Sequence, residues 1–334
     1  MSVDVVVVVR NHAGTLAATL AGLVAQAAPP ARVVVVENAS TDGSRDVARR
    51  FADRLPLELI ESPDNLGFSG AANRAIRRCD GRWLLSLNPD CRLAPDFLAR
   101  LVTAAERDER AGSASGLLLR GRGDDLAATD VVDSAGMIVT AGGRHHDRGA
   151  GRRLTPDLDR PARVFGASGA AALYRRAALD DVAYAGGEVF DETFFAYRED
   201  ADLAWRLQRR GWSCLYWPAA RAWHARGLRP EARRRGTPEI NRHSVRNRFL
   251  LRWSNADWRW LIACFPWWLA RDLTVVLACL TVERSSRPAL AEAFALRRQQ
   301  RARGRANAAR KTVSGWRTAG WFLPGGRVRR LERW

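Results

Sequence analysis

Trp83-Leu84-Leu85-Ser86-Leu87-Asn88-Pro89-Asp90 is the stretch that decides the fold. An apolar run, broken only by Ser86, ends abruptly in Asn-Pro-Asp. Pro89 has no N–H, fixes its own φ and disfavours helix at Asn88, so a strand must stop here. Open α/β sheets place their ligand crevices outside the carboxyl ends of their strands, and a strand ending in this way presents Asp90 to such a crevice. Asp90 is therefore a candidate metal ligand. Alone, Asn-Pro-Asp reads better as a plain turn than as a ligand site; the flanking sequence reverses that preference.

Upstream lie three more strands. Val5 to Val9 and Val33 to Val36 are β-branched runs too apolar for half-exposed strands, and they read as strands buried on both faces of a parallel sheet. Between them, Thr15 to Gln26 has helical spacing (Leu16, Leu20, Leu23, Val24) and stops at Pro29-Pro30. After Glu37-Asn38-Ala39-Ser40-Thr41-Asp42-Gly43-Ser44 a helix is expected from Asp46 to Phe51. Leu57 to Ile60 is the third strand, and Asn65-Leu66-Gly67-Phe68-Ser69-Gly70 leads into a helix carrying Asn73. This β-α alternation predicts a mostly parallel sheet with right-handed crossovers, flanked by helices. No Gly-x-Gly-x-x-Gly follows the first strand and no Gly-x-x-x-x-Gly-Lys occurs, which argues against dinucleotide-binding and P-loop folds.

Downstream, residues 113–164 are less regular, with loops expected at 121–125 and 142–153 and a strand or hairpin at 131–139. Gly166 and Gly169 precede a small-residue strand over Ala170 to Tyr174. In Glu199-Asp200-Ala201-Asp202-Leu203-Ala204-Trp205-Arg206-Leu207, the apolar residues mark a helix interior and the acids its first turn, where the helix dipole favours them. Gly211 caps that helix, a strand runs from Trp212 to Trp217, Pro218 is expected to stop it, and His224 follows.

The net charge of +18 is unevenly spread: residues 231–334 carry 23 basic and 7 acidic residues and 8 of the 13 Trp, so the body is nearly neutral. All but one of the basic residues are Arg, a bias read as genomic and not as a nucleic-acid signal. The five Cys are scattered without Cys-x-x-Cys spacing, which argues against a zinc ribbon or disulfide framework. The first residues run straight into a strand, so no secretory signal is expected.

Together these stretches resemble inverting glycosyltransferases of family 2, whose fold is GT-A. The matching motifs are Val5–Val9 with Asn11, Val-Val-Glu-Asn-Ala-Ser-Thr-Asp-Gly-Ser (35–44), Asn-Leu-Gly-Phe-Ser-Gly-Ala-Ala-Asn (65–73), Leu-Asn-Pro-Asp (87–90), Glu-Asp-Ala-Asp-Leu-Ala-Trp-Arg (199–206) and His224. The likeness covers about residues 3 to 226 and is nearest in character to the rhamnosyltransferase-like branch that builds bacterial surface polysaccharides. It implies a catalytic domain over residues 1–228, with nucleotide-sugar binding at about 1–110 and the acceptor side at about 111–228. It further implies Asp200 as the catalytic base with Glu199 beside it, and Asn11, Glu37, Asn38, Asn65, Gly67, Phe68, Asn73 and Asn88 around the nucleotide sugar. Asp90 and His224 would be the ligands of a divalent cation, Mn²⁺ or Mg²⁺. Asn88 stands where the family's Asp-x-Asp motif has its first carboxylate, which leaves one acid for the metal. The implied partners are a nucleoside-diphosphate sugar and a glycan or polyprenyl-linked acceptor.

Residues 229–334 read as a helical, basic, Trp-rich appendage. Trp258 to Val282 is strongly apolar, but Pro266 and Arg271-Asp272 divide it into halves shorter than the roughly 20 residues a membrane span needs. Helices lying in a membrane interface are expected, with Trp253, Trp258, Trp260, Trp267 and Trp268 at headgroup level and Arg297 to Arg305 drawn to anionic lipid. The competing expectation is an appendage packed on the catalytic domain. Overall the expected protein is a cytoplasmic enzyme, peripheral on the inner face of the bacterial cell membrane. A non-catalytic nucleotide-sugar-binding module is the alternative, and a nucleic-acid binder ranks last because the basic tail carries no binding motif.

Overall fold

The computed structural model describes residues 2–225, 238–326 and 328–331. β1 (Val3–Val9), β2 (Arg32–Asn38), β3 (Leu57–Ser62) and β4 (Trp83–Leu87) are parallel neighbours in the order β3-β2-β1-β4. Helices α1 (Ala13–Val24), α2 (Ser44–Arg49) and α3 (Gly67–Ile76) make the crossovers. The valine runs are apolar at every position because both faces are covered. Val5, Val7 and Val9 pack with Leu16, Leu20 and Leu23 of α1, while Val6, Val34 and Val36 pack with Ala71, Ala72 and Ala75 of α3.

The chain continues through β5 (Cys91–Leu93), α4 (Phe97–Glu106), β6 (Ala111–Arg122), β7 (Ala127–Ser134), β8 (Met137–Val139), β9 (His145–Asp147), β10 (Ala162–Val164), β11 (Ala171–Arg175), α5 (Arg176–Val182), α6 (Glu199–Arg209) and β12 (Ser213–His224). β11 inserts antiparallel between β4 and β6, and β12 runs parallel to β6. The middle region is therefore more regular than its sequence suggests. His145 and His146, expected in a loop, pair with β8.

Pro218 does not stop its strand. β12 runs through it to His224, but its register against β6 jumps between Trp217 and Arg221, so the proline sits in an irregularity where the ladder needs no N–H. Gly116 lies opposite, where a Cβ would come 2.4 Å from the Ala220 carbonyl oxygen. The continued strand brings His224 onto the sheet beside β5.

The expected boundary at 228/229 falls in 226–237, outside the described residues. Beyond it come α7 (Pro238–Asn255), α8 (Trp258–Ala263), α9 (Trp267–Thr281), α10 (Arg287–Ala309), α11 (Gly315–Ala319) and β13 (Arg329–Arg330), which pairs with β10. These helices share a core with the sheet domain, in which Trp205 of α6 packs against Trp260 and Phe322. Trp260 is thus buried and not at a surface; Trp253 and Trp268 are partly buried, and of the five only Trp258 and Trp267 are exposed. Arg303, within the basic stretch, is paired with Glu188 and Asp191. Among the described residues no helix is long and apolar enough to cross a membrane.

Candidate functional site

Because β1, β2 and β4 run parallel, the turns that follow them converge on one edge of the sheet. At β1 the chain leaves through Asn11, whose φ of 57° is a left-handed conformation that Asn tolerates. Asn11 Oδ1 accepts from the Thr41 amide (2.8 Å), and Asp42 accepts from the amides of Ala13 (2.9 Å) and Ser44 (2.9 Å). Burial works against the Asp42 carboxylate, but the Ser44 hydroxyl and these amides outweigh it and hold its pKa below the usual value. These bonds lock the 37–44 loop onto the start of α1.

Glu37 is buried at the end of β2. Its Oε1 accepts from the Ser40 amide (2.6 Å), while Oε2 has no hydrogen-bond partner and lies 3.6 Å from the Arg45 guanidinium. A buried carboxylate oxygen without a hydrogen bond is costly, and a donor hydroxyl or N–H of a ligand would satisfy it. Asn38 turns inward: its amide donates to Asn65 Oδ1 (3.0 Å) and the Gly67 carbonyl (3.2 Å) and accepts from the Leu66 amide (2.8 Å). Asn38 and Asn65 thus clasp two turns together. Gly67 (φ 69°) leaves room for the Phe195 carbonyl, which accepts from the Ser69 amide (3.0 Å), and Phe68 packs edge-on against Phe190. Asn73 lies apart from these loops. Its amide donates to the Phe190 carbonyl (2.7 Å) and Glu192 (3.0 Å) and accepts from the amides of Val189 and Phe190. Those four bonds use the whole capacity of the group.

The Asn-Pro-Asp turn is held from both sides. Thr15 and Thr19 of α1 donate to the Pro89 carbonyl, and the Asn88 amide donates to the Ala170 carbonyl. The turn aims Asp90 at His224: Asp90 Oδ1 lies 3.2 Å from Nε2, and the other ring nitrogen lies 2.8 Å from Asp133 Oδ2. All three groups are buried. Burial favours neutral imidazole, yet the two carboxylates outweigh it and raise the His224 pKa far above the ordinary value. Burial likewise raises Asp90, and His224 more than cancels that. Among the described residues no group of three or more His, Cys, Asp or Glu is placed to hold a metal ion. One carboxylate oxygen and one imidazole nitrogen facing each other suit a divalent cation that displaces the imidazolium proton and takes its remaining ligands from a diphosphate. Asp133 would then orient the imidazole. Nothing at Asp-Ser (133–134) marks this role in the sequence beyond a charged residue in an otherwise buried strand end.

Gly169, next to Ala170, links this turn to α6: a Cβ on Gly169 would lie 3.2 Å from Asp200 Oδ2. Burial raises the pKa of Asp200, with Asp147 adding to it, and burial together with Asp200 raises Glu199. Glu199 Oε2 has no hydrogen-bond partner. Asp202 points the other way, into a buried ion pair with Arg206 (2.8 Å), and accepts from Ser254 and Asn255.

The segment before α6 is strained. Phe195, Tyr197 and Arg198 have φ of 63°, 70° and 74°, which costs about 1–3 kcal/mol at each such residue. It is held from outside the sheet domain. Asn247 of α7, fully buried, donates to the carbonyls of Phe194, Ala196 and Tyr197, each at 2.8 Å. Arg246 donates to Thr193 and Phe194, His243 stacks on Phe195, and Gln300 of α10 donates to Asp191 and Thr193. The sequence gives no sign that Asn247 does this, because its partners lie some fifty residues away.

Comparison with known proteins bears on this geometry. The family model for glycosyl transferase family 2 matches residues 4–183. An N-acetylglucosaminyl-diphospho-decaprenol L-rhamnosyltransferase of Mycobacterium tuberculosis is 32% identical over 219 residues, 58% of this chain and 66% of the relative, just short of two thirds of its length. A Pyrobaculum calidifontis mannosyltransferase, PcManGT, solved with GDP-Man and Mn²⁺, superposes with a TM-score of 0.54 at 22% identity over 92% of this chain and 84% of its own. GalNAc-T7, solved with UDP, GalNAc and Mn²⁺, gives a TM-score of 0.60 at 16% identity over 79% and 50%. The solved structures share the GT-A fold with this chain.

Proposed function

The chain belongs to glycosyl transferase family 2, and from that premise we propose that it is an inverting glycosyltransferase moving L-rhamnose from a nucleoside-diphosphate sugar to a hydroxyl of a polyprenyl-linked glycan acceptor. The observation that carries the reading is the pairing of two sites across one sheet edge. The Asp90–His224 pair lies after β4, and Asp200 lies against Gly169, adjacent to the residue that bonds the same turn. The relative from Mycobacterium tuberculosis, named as acting on a decaprenol-linked acceptor with L-rhamnose, supports the choice of donor sugar and acceptor class.

In this reading Glu37 meets the nucleoside through its unsatisfied oxygen, and Asn11, Asn65, Gly67, Phe68 and Asn88 shape the surrounding turns. Asp90 and His224 hold a divalent cation, Mn²⁺ or Mg²⁺, which when bound neutralises charge developing on the leaving diphosphate. Asp200 accepts the proton of the acceptor hydroxyl as that oxygen attacks the anomeric carbon from the opposite face, inverting it. Burial and the neighbouring Asp147 carboxylate favour the protonated form of Asp200, which makes it a stronger base at neutral pH. Glu199 beside it is raised further, to about 8, by burial and by Asp200, so at neutral pH it stays largely protonated. Residues 1–228 form the catalytic unit, working peripherally at the inner face of a bacterial cell membrane.

The test is a panel of nucleotide sugars assayed for binding and turnover with Mn²⁺, Mg²⁺ or a chelator. One donor bound selectively and turned over only with metal is the expected result. Metal-independent binding without turnover, even with lipid-linked acceptor added, would favour a non-catalytic binding module.

A further inference from the structure

Among the described residues, ten of the eleven exposed large apolar side chains lie between Trp258 and Trp316; the exception is Tyr197. They are concentrated on α8, α9 and the start of α10. On α9 the exposed positions are 267, 270, 273, 274, 277, 280 and 281, a single stripe at helical spacing. Leu273 and Leu277 are each 61% exposed and Val282, just beyond the helix, 84%.

The polarity of α9 is the reverse of an ordinary surface helix. Asp272 points inward, where it pairs with Arg248 (3.0 Å) and Arg252, while the leucines point out. The two threonines on the stripe are already satisfied: Thr274 and Thr281 each donate to the carbonyl four residues back at 2.8 Å. The stripe thus offers apolar surface with no hydroxyl seeking a partner, which suits hydrocarbon.

Charge surrounds it. Residues 258–316 carry 11 basic and 3 acidic side chains. Arg284, Arg287, Arg298 and Arg301 are exposed, while Arg259 and Arg297 lie over the rings of Trp258 (4.5 Å) and Phe294 (5.7 Å). An apolar ridge rimmed by arginines complements a bilayer with anionic headgroups. The fifteen residues of α9 make a helix of about 22 Å, too short to span, so it would lie in the membrane plane.

We propose that the outer face of α8, α9 and the start of α10 docks on an anionic lipid bilayer and sets the acceptor end of the crevice toward it. The route from stripe to site is short. Gly142, in the β8–β9 hairpin, lies so near α9 that a Cβ there would come 3.5 Å from Arg271 and 3.7 Å from the Trp267 carbonyl, and its own carbonyl accepts from Arg248 (2.8 Å). The same hairpin carries His145, 3.4 Å from Arg198, and Asp147, whose charge acts on Asp200. The docking rests on exposure and charge alone; only the orientation rests on the transferase reading.

The experiment is sedimentation of the full chain with vesicles of phosphatidylcholine containing about 30% phosphatidylglycerol, beside pure phosphatidylcholine. The double variant Leu273→Glu/Leu277→Glu is compared with Leu273→Ala/Leu277→Ala, and far-UV circular dichroism with thermal melting serves as the folding control. Burial of two leucines predicts that the Glu pair weakens partitioning more than about tenfold and the Ala pair less, with retention falling in pure phosphatidylcholine and at high salt. Equal partitioning of all three chains, or none by the wild type, overturns the proposal. So does a concentration-dependent dimer that the Glu pair dissolves without any vesicle binding, which would assign the face to a second copy. Because the readout needs no turnover, failure of the transferase reading leaves this result standing, and the reverse also holds.

Discussion

The two halves of the proposed site are built differently. On the half proposed to take the donor, the turns after β1, β2 and β4 are tied to one another and to α1 by residues of the motifs and of α1, such as Asn11 with Thr41, Asn38 with Asn65, and Thr19 with Pro89. On the half proposed to take the acceptor, Asp200 follows a strained segment clamped by Asn247, Arg246 and Gln300, all from the C-terminal helices. The motif turns hold their own left-handed residues, Asn11 and Ala39, by local bonds, whereas the three before α6 are held by an outside scaffold. The appendage is thus part of the site's support, whatever else its outer face does.

The contrast breaks or sharpens under four changes. Asn247→Ala should lower kcat about 100-fold through misplacement of the base, with donor Kd moving less than about threefold. A matching rise in donor Kd would mean that the Phe195–Ser69 bond couples the two sides and that the contrast fails. Glu37→Ala should do the opposite and weaken donor binding about tenfold, the worth of one charged hydrogen bond, with kcat nearly unchanged; calorimetric titration with the nucleotide checks it. Asp133→Asn should weaken Mn²⁺ binding about tenfold, as loss of an orienting partner does, read by paramagnetic resonance of the free ion. Unaltered affinity would make Asp133 a purely structural partner of His224.

The smallest effect concerns stability. Burial raises the folded pKa of Asp200 above its unfolded value, so the folded state binds more protons in the window between them. Stability from this group is therefore greatest below the ordinary carboxylate pKa and falls as pH rises through the folded one. Asp200→Asn removes that loss and should raise Tm by a few degrees at neutral pH, about the shift that 1 kcal/mol gives, with the gain disappearing in acid. A Tm gain of the same size at all pH would point to packing instead.

What was legible in the sequence follows the same division. The valine runs, the Asn-Pro-Asp stop and the acidic helix start are local patterns, and each lies where its spacing predicts. Pro218 misled because a missing N–H matters only where the ladder needs one, and the register jump there removes the need. Trp260 misled because composition cannot tell a tryptophan at a membrane from one packed between two elements of the same chain. Asp133 and Asn247 were invisible, since their partners are separated from them by 91 residues and by 50 or more.

The most direct test is transfer by wild-type protein and by Asp200→Asn, each with the selected donor, Mn²⁺ and a polyprenyl-linked acceptor, alongside donor Kd. The account predicts loss of transfer by about 10³-fold, the scale of a general base, with donor Kd unchanged and inverted product from the wild type. Turnover by Asp200→Asn within a few fold of wild type would contradict it.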